Sequence, residues 1–305
     1  MATIRLGTRG SRLALAQTGL IKQTLEARHP HLSCTVVTIT AEADEKPDAS
    51  LVSFAGEGVF VKELAAGLTR GEIDLAVHSL KDVPLAMPDG LRLAAIPPRE
   101  DAHDALVSPS GRRLIQLPTG AVIGTSSLRR QGQLLHARPD VQVKPIRGNV
   151  DTRLRKAREG QYDAIVVAAA GLKRLGLAKA ITELIDFEVM LPEPGQGALA
   201  LQTRADDRAT NAFVSVLDDA LTRACVTAER AFLQGLGGGC HLPIAALGHI
   251  EGDRLTLDGA VVAPNGSKMI HEQATGSATD PDALGESLAK QAIASGAMSV
   301  IRGLI

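Results

Sequence analysis

The order of apolar and polar positions predicts that the chain begins with alternating strands and helices. Strands are predicted at 3–8, 34–41 and 73–77, where short apolar runs are rich in β-branched residues. Helices are predicted at 11–30 and 59–71, where apolar residues recur at helical spacing, with Ser11 as the candidate N-cap of the first. Strands that alternate with helices in this way favour a mainly parallel sheet. The acidic stretch 41–58 between them is long for a loop and is interpreted as a lid or a disordered segment.

A second series of strands and helices starts near residue 101. Strands are predicted at 104–108, 121–125, 141–146 and 162–170, and helices at 126–139 and 149–160. Ser126 stands at the start of the first of these helices. The last strand contains a continuous apolar run, as in a parallel sheet that is covered on both faces. The stretch 191–201 contains two prolines and two glycines and is predicted to be a hinge or crossover.

The last part of the chain changes character. A helix at 221–236 is followed by an antiparallel meander, whose turns are marked by Gly252-Asp253 and Asn265-Gly266, and by a closing helix at 280–295. The predicted fold class is therefore α/β, with two lobes built on mainly parallel sheets and a C-terminal α+β domain with an antiparallel three-stranded sheet.

Composition narrows the class of protein. A chain of 305 residues is long for one hydrophobic core, so two or three domains are expected. The net charge of −1 and the aromatic content of 2% argue against a nucleic-acid binder. The chain has no apolar run long enough for a membrane span and no secretory signal at its N-terminus. Its three cysteines show neither metal-ligand spacing nor a disulfide framework, so we expect a cytoplasmic protein, without a metal, that needs to be no more than a monomer.

Ionisable side chains collect where predicted strands end. His78, Ser79, Lys81 and Asp82 follow the strand at 73–77. In open α/β sheets ligands bind beyond the carboxyl ends of the strands. Other basic residues follow other strands in the same way: Arg9, Arg12, Arg129, Arg130, Arg147, Arg153 and Arg155. Arginines beside helix N-termini, such as the one after Gly124 to Ser127, suit carboxylates or phosphates, so the sequence predicts a cleft for a polyanionic ligand.

Two residues, Asp82 of this set and Cys240, have alternative interpretations. Asp82 either neutralises Lys81 or a neighbouring arginine, or it is a catalytic carboxylate that stabilises a developing cation. A lone cysteine is usually an inert core residue, and Cys34 and Cys225 fit that description. Cys240 follows three glycines in a predicted loop beside His241, where its thiol is able to act as a nucleophile.

Motifs along nearly the whole chain resemble those of the porphobilinogen deaminase family. The matching stretches are GTRGSRLALAQ, VFVKEL, DLAVHSLKDVP, PPREDAHDALVS, GTSSLRRQGQLL, IRGNVDTRL, YDAIVVAAAGLKRLG, LPEPGQGALAL, CVTAERAFL and GGGCHLPIAA. They run in order from the N-terminus to the last domain. Of these, HSLKDVP, GTSSLRRQ and RGNVDTRL together are highly specific.

The resemblance implies an activity, a cofactor and a domain plan. Members of the family join four porphobilinogen molecules head to tail into linear hydroxymethylbilane, with loss of ammonia at each step. The chain grows on a dipyrromethane cofactor held by a thioether, which the motif match places on Cys240. Two lobes like those of periplasmic binding proteins surround a cleft. The implied domains are 1–97 plus 198–215, which includes the lid, then 98–197 with its many arginines, and 216–305 with the cysteine loop.

The resemblance also implies roles for individual residues. Asp82 is the catalytic residue, which stabilises the cationic azafulvene left by loss of ammonia and assists proton transfer. The implied cofactor-binding residues are Cys240, Ser79, Lys81, Asp82, Thr125, Ser127, Arg129, Arg130, Arg147, Asn149 and Arg153. The implied substrate-binding residues are Arg9, Ser11, Arg12, Phe60, Arg147, Arg153, Arg174 and Gln196. Ser126 is a further hydrogen-bonding candidate.

Two positions depart from the family pattern. Glu57 replaces a lysine that the family has in the lid, which removes a cation there, and Gly237 replaces a more usual glutamate before the cysteine loop. Among the acidic lid residues, Asp44 is the one with a possible ligand contact. The alternative function is a non-catalytic two-lobed protein that binds a small polyanion. The reactive-looking Cys240 and the aspartate in the predicted cleft count against it.

Overall fold

The structure of the protein, a computed structural model, describes residues 2–39, 59–239 and 242–301. The predicted lid at 41–58, the departure at Glu57, the predicted attachment residue Cys240 and its neighbour His241 lie outside the described residues. The side chain of Phe60 is also outside this description, although its backbone is included.

The described part of the chain forms the following strands: β1 (Ala2–Thr8), β2 (Leu32–Thr38), β3 (Leu75–Ser79), β4 (Leu91–Ala95), β5 (Asp104–Val107), β6 (Val122–Gly124), β7 (Gln142–Lys144), β8 (Ala164–Ala168), β9 (Glu183–Ile185), β10 (Leu199–Arg204), β11 (Ile244–Glu251), β12 (Arg254–Val262) and β13 (Met269–Ser277).

Its helices are α1 (Arg12–Arg28), α2 (Val59–Thr69), α3 (Leu128–Ala137), α4 (Val150–Arg158), α5 (Ala169–Arg174), α6 (Arg208–Ser215), α7 (Ala220–Gly235), α8 (Pro281–Ala294) and α9 (Ala297–Ile301). The described residues also form three short 3-10 helices, at Leu80–Asp82, Leu114–Gln116 and Ala178–Ala180. No helix of the described residues combines the length and the hydropathy that a membrane crossing requires.

The chain divides into two compact units. Unit 1 comprises Met1–Arg99 and Ala198–Arg223, and unit 2 comprises Glu100–Gly197 and Ala224–Ile305. The chain therefore passes from unit 1 to unit 2 after Arg99 and returns after Gly197, inside the stretch that was predicted to be a crossover.

The sheet of unit 1 has the order β2-β1-β3-β10-β4. Strands β1, β2 and β3 pair in parallel, and β10 enters antiparallel between β3 and β4. One face packs against α1, where Leu25 contributes to a core with Leu6 and Leu75, all fully buried. The other face meets Leu64 and Leu68 of α2. Covering on both faces explains why these strands are apolar at consecutive positions.

Unit 2 contains a sheet with the equivalent order, β7-β6-β8-β5-β9. Strands β6, β7 and β8 pair in parallel, and β5 is antiparallel to both of its neighbours. Ile123 and Leu134 pack on one face, and Leu154 and Leu172 pack on the other. The prediction of mainly parallel sheets is confirmed, with one antiparallel strand in each.

Unit 2 also contains the antiparallel sheet β11-β12-β13, as predicted for the C-terminal part. Helices α7 and α8 cover one face, and Phe232 of α7 is fully buried in their core. Gly259 allows this close packing, because a Cβ at that position would lie 2.6 Å from the Phe232 ring. The predicted fold class is therefore confirmed for all three sheets.

Candidate active site

The first group of candidate residues lies beyond the carboxyl ends of β1 and β3 in unit 1. Arg9 follows β1 directly, and Ser11 is the N-cap of α1, as predicted, because its Oγ accepts a hydrogen bond from the backbone N–H of Ala14 at 3.2 Å. Ser79 ends β3, and the chain then makes the 3-10 helix that carries Lys81 and Asp82. The parallel pairing of β1 with β3 places these groups at one edge of the sheet.

A cavity at this edge brings four of the predicted residues together. Arg9, Ser11, Ser79 and Asp82 line it, and it has a volume of about 80 Å³ and is partly open to solvent. The rest of the lining comes from Leu13, Ala14, Gln17, Val61, Leu64, Val77 and His78. Asp82 is exposed, so its carboxylate is accessible to a ligand. Arg12 and Lys81 belong to the same unit and are not part of this lining.

His78 is a buried member of the lining that has a fixed tautomer. The Gln202 amide donates from Nε2 to the sulfur of Met87 at 3.0 Å, so its oxygen faces His78. Nε2 of His78 therefore donates its proton to Oε1 of Gln202, over 3.1 Å. Burial lowers the pKa of His78 to about 4, partly offset by this hydrogen bond. The imidazole is consequently neutral at the wall of the cavity. On the opposite face of β3, Ser79 accepts a hydrogen bond from Gln17 at 3.1 Å.

The second group lies in unit 2, at the turn between β6 and α3. Ser127, not Ser126, is the N-cap of α3, and its Oγ accepts from the Arg130 backbone N–H. The prediction that Ser126 starts this helix was wrong by one residue. Ser126 instead closes the neighbouring loop, since its hydroxyl donates to the Ile146 carbonyl at 2.8 Å and accepts from the Ile146 N–H at 3.0 Å. Thr125 is buried and accepts from the Ser127 N–H at 3.2 Å.

Arg129 and Arg130 share a buried carboxylate that the sequence analysis did not identify as a site residue. Asp104, the first residue of β5, is fully buried. Nη1 of Arg129 lies 2.7 Å from one of its oxygens, and Nη2 of Arg130 lies 2.7 Å from the other. Gln196 donates to Asp104 at 3.0 Å and accepts from Nη2 of Arg130 at 3.3 Å. Two arginines and an amide thus surround one carboxylate.

The charges in this cluster explain why it is stable when buried. Burial alone would raise the pKa of Asp104, but the positive charges of Arg129 and Arg130 outweigh that effect and hold the pKa well below its ordinary value. Asp104 is therefore ionised, and the cluster keeps a net positive charge of one. Nε and Nη2 of Arg129 are also buried, and no hydrogen-bond partner for them lies within the described part of the chain.

Further arginines lie at the turn between β7 and α4. Asn149 is the N-cap of α4, where its Oδ1 accepts from the Thr152 N–H at 2.9 Å. Arg153, half-buried, donates from Nε to the Gly148 carbonyl at 2.8 Å. Burial lowers the pKa of Arg153, and the nearby positive charge of Arg130 lowers it further. An anion between these two guanidinium groups would relieve that repulsion. Arg147 precedes this turn and is exposed.

Arg174, at the end of α5, is the last predicted arginine. Its Nη2 donates to the Gly197 carbonyl at 2.6 Å. Burial lowers the pKa of Arg174, and the carboxylate of Glu100 acts in the opposite direction. Arg174 therefore belongs to the same unit as Arg130 and Gln196 and contacts the residue that follows Gln196.

The donor set of unit 2 fits the dipyrromethane that the sequence resemblance implies. That group carries several carboxylates, and the unit provides guanidinium groups, the hydroxyls of Thr125 and Ser127, and a half-buried Arg153 that faces another cation. The predicted attachment residue follows Gly237, Gly238 and Gly239, all with positive φ angles of 98°, 65° and 119°. Only glycine adopts three such angles in succession without strain, which explains this run in the sequence.

Comparisons with known proteins find similar sequences along nearly the whole chain. A family model described as the porphobilinogen deaminase dipyromethane cofactor binding domain matches residues 4–212, and the model of the C-terminal domain of porphobilinogen deaminase matches residues 223–294. Porphobilinogen deaminase from Syntrophotalea carbinolica is 49% identical, over 99% of this chain and 96% of its own. The enzyme of that name from Roseiflexus sp. (strain RS-1) is 48% identical over 99% of both chains. The periplasmic aliphatic sulphonate binding protein SsuA from Escherichia coli superposes with a TM-score of 0.41 at 18% identity, over 77% of this chain and 70% of that one.

Proposed function

This chain belongs to the porphobilinogen deaminase family, and we propose that Asp82 and the arginines of both units carry out its reaction. As a member of this family it is a transferase that makes hydroxymethylbilane from porphobilinogen. The observation that carries the assignment of Asp82 is its position. Its exposed carboxylate lines the same cavity as Arg9, Ser11 and Ser79. A carboxylate among cations and hydroxyls is suited to a substrate that bears both acid groups and a developing positive charge.

In each condensation, the bond between the aminomethyl carbon and its nitrogen breaks and ammonia leaves. The carbon then bonds to the free α-carbon of the terminal pyrrole, which loses a proton. Dipyrromethane, when bound, would supply the first such pyrrole. Asp82 accepts hydrogen bonds from pyrrole N–H groups and stabilises the positive charge that forms as ammonia departs. Arg9 and Ser11, which line the same cavity, bind the acid groups of the incoming substrate.

The arginines of unit 2 bind carboxylates of the ligand. Arg129, Arg130 and Arg153 provide charge-assisted hydrogen bonds, supported by Thr125, Ser127 and Asn149. Arg147, Arg174 and Gln196 complete the proposed substrate and cofactor contacts, together with Arg12, Phe60 and Lys81 from unit 1. The proposal also includes a thioether between Cys240 and the cofactor. It further divides the chain into three domains, each with one of the three sheets: 1–97 plus 198–215, then 98–197, and 216–305.

We also propose that the protein acts as a monomer in the cytoplasm, with no nucleic-acid or membrane partner. Its nearly balanced charge supports the absence of a nucleic-acid partner, since 33 basic and 34 acidic residues provide no field of one sign. Size-exclusion chromatography with light scattering tests the oligomeric state, and a mass near 31.9 kDa is the expected result.

Intact-mass spectrometry and a porphobilinogen turnover assay test the proposed function together. The purified chain is expected to convert porphobilinogen and to carry excess mass equal to dipyrromethane, located on the peptide that contains Cys240. Cys240→Ala is expected to lose both, whereas the buried Cys225→Ala keeps both. A chain of unmodified mass that binds porphobilinogen without turnover would instead support the non-catalytic polyanion-binding protein.

A further inference from the structure

Glu229, in the middle of α7, is a fully buried carboxylate outside the predicted site. Its Oε2 accepts a hydrogen bond from the backbone N–H of Gly195 at 2.7 Å. Its Oε1 accepts one from the backbone N–H of Gly248, in β11, at 2.8 Å. A single carboxylate thus connects a C-terminal helix, the C-terminal sheet and the segment that leads out of unit 2.

The segment bound by Glu229 is also the one that supports the arginines. Gln196 follows Gly195 directly, and its amide bonds Asp104 and Arg130 and donates to the Ala102 carbonyl at 2.8 Å. The next carbonyl, of Gly197, accepts from Arg174. Gly195 and Gly197 have φ angles of +77° and +87°, so the backbone turns sharply on either side of Gln196, in a conformation that glycine adopts without strain.

We propose that Glu229 is a positioning residue, which fixes the segment 195–197 so that Gln196 and Gly197 hold Arg130 and Arg174 in the orientation that binds ligand carboxylates. This inference rests on the proposed function. It adds a residue from α7 that touches neither substrate nor cofactor and acts through Gln196.

A carboxylate is the side chain that this position requires. Two backbone N–H donors face it from different directions, and both of its oxygens are acceptors. Glu229→Gln replaces one acceptor by an NH2 group, which leaves one buried N–H donor without a partner. The segment next to Gln196 is then free to move by the small distances that disrupt a charge-assisted hydrogen bond.

The place of Glu229 along the chain gives this anchor a second consequence. Helix α7 ends at Gly235, shortly before the glycines at 237–239 and the proposed attachment residue. The helix that leads to the tether is therefore bonded to the segment that orients the arginines. Glu229 therefore fixes α7, the helix that precedes the cysteine loop in the sequence, to the segment that orients the arginines.

A double-mutant cycle on the holoenzyme tests this role. Glu229→Gln and Gln196→Ala are each expected to lower kcat/KM for porphobilinogen by about tenfold, mainly through KM, because carboxylate binding is lost rather than chemistry. The double variant is expected to lose no more than the larger single effect, since both changes act through one side chain. If Glu229→Gln does not fold, Glu229→Asp replaces it in the cycle. The aspartate side chain is one methylene shorter and cannot reach both N–H donors at once, so it should show the same non-additivity.

The matched control is Val261→Ala, a truncation in the same C-terminal core. Its effect is expected to be on stability, and any effect on kcat/KM should multiply with that of Gln196→Ala. The inference is overturned if the Glu229 and Gln196 effects multiply to about a hundredfold loss, or if Glu229→Gln loses stability like Val261→Ala and keeps its KM. An unmodified chain with no turnover would contradict the proposed function itself, before any variant is compared.

Discussion

The two larger sheets have the same strand order but differ at one equivalent position. In each sheet an antiparallel strand begins opposite the last residue of a central parallel strand. In unit 1 this places Leu199 opposite Ser79, and in unit 2 it places Asp104 opposite Ala168. Both first residues are almost completely buried, but one is apolar and the other is charged.

The difference shows two ways of building a cationic edge. Unit 1 keeps its charges near the surface, and its one buried ionisable group in the cavity wall, His78, stays neutral. Unit 2 buries two arginines, which is possible because Asp104 compensates part of their charge. A site with buried guanidinium groups therefore needs a structural carboxylate beneath it, and a site with exposed ones does not.

Replacement of the buried carboxylate of Asp104, which distinguishes unit 2 from unit 1, is expected to have the largest effect on stability. Asp104→Asn leaves Arg129 and Arg130 without their counter-charge, so we expect unfolding free energy to fall by about 3–5 kcal/mol in a denaturant titration. The triple variant Asp104→Leu, Arg129→Met, Arg130→Met makes unit 2 resemble unit 1 and should recover most of that stability, but not activity. A loss below about 1 kcal/mol for Asp104→Asn would contradict the proposed role of Asp104.

Asp82→Ala tests the exposed edge of unit 1, where we expect loss of turnover rather than loss of stability. Because Asp82 is exposed, we expect the free energy of unfolding to change by less than about 0.5 kcal/mol, whereas turnover of porphobilinogen falls by about a hundredfold or more. The exposed Asp89 of the same unit is the control, and Asp89→Ala should keep wild-type turnover. Substantial activity in Asp82→Ala would refute the role assigned to this carboxylate.

The pH dependence of stability should separate the two units. The pKa of His78 is about 4 in the folded protein and 6.5 ordinarily, so below pH 6.5 the unfolded chain binds a proton that the folded one does not. Stability therefore falls by up to about 3 kcal/mol between pH 6.5 and 4. His78→Gln should remove this slope in denaturant titrations at several pH values, and an unchanged slope would contradict it. The lowered pKa of Asp104 acts separately, because its contribution is lost only below about pH 4.

Local patterns were enough to predict most elements of the fold. The N-cap Ser11 and the meander turns follow from short-range rules about caps and turn residues. Ser126 and Ser127 are adjacent hydroxyl residues with the same capping chemistry, so the sequence did not distinguish the cap from the residue that closes the next loop. Strand β10 was missed, because the prolines and glycines before it favoured a crossover and its partner strands lie more than a hundred residues away.

The sequence predicted the arginines of the site but not Asp104, the carboxylate that supports two of them. Asp104 was included in a predicted strand and given no role, because its partners lie 25 and 26 residues along the chain and produce no periodic signal. The one available signal was a carboxylate at the start of an otherwise apolar strand, the same argument that drew attention to His78 and Asp82. Glu229 left no such signal, since a glutamate in a helix is ordinary in any sequence.

The position of β10 in the first sheet has a consequence for synthesis of the protein. Strands β3 and β4 have been made once residue 95 is complete, but β10 fills the place between them and ends only at Arg204. A growing polypeptide on the ribosome therefore carries two apolar strands with unsatisfied edges while more than a hundred further residues are translated. Release of a truncated product in that interval leaves an aggregation-prone fragment, so binding by a chaperone would benefit the first lobe more than any later part of the chain.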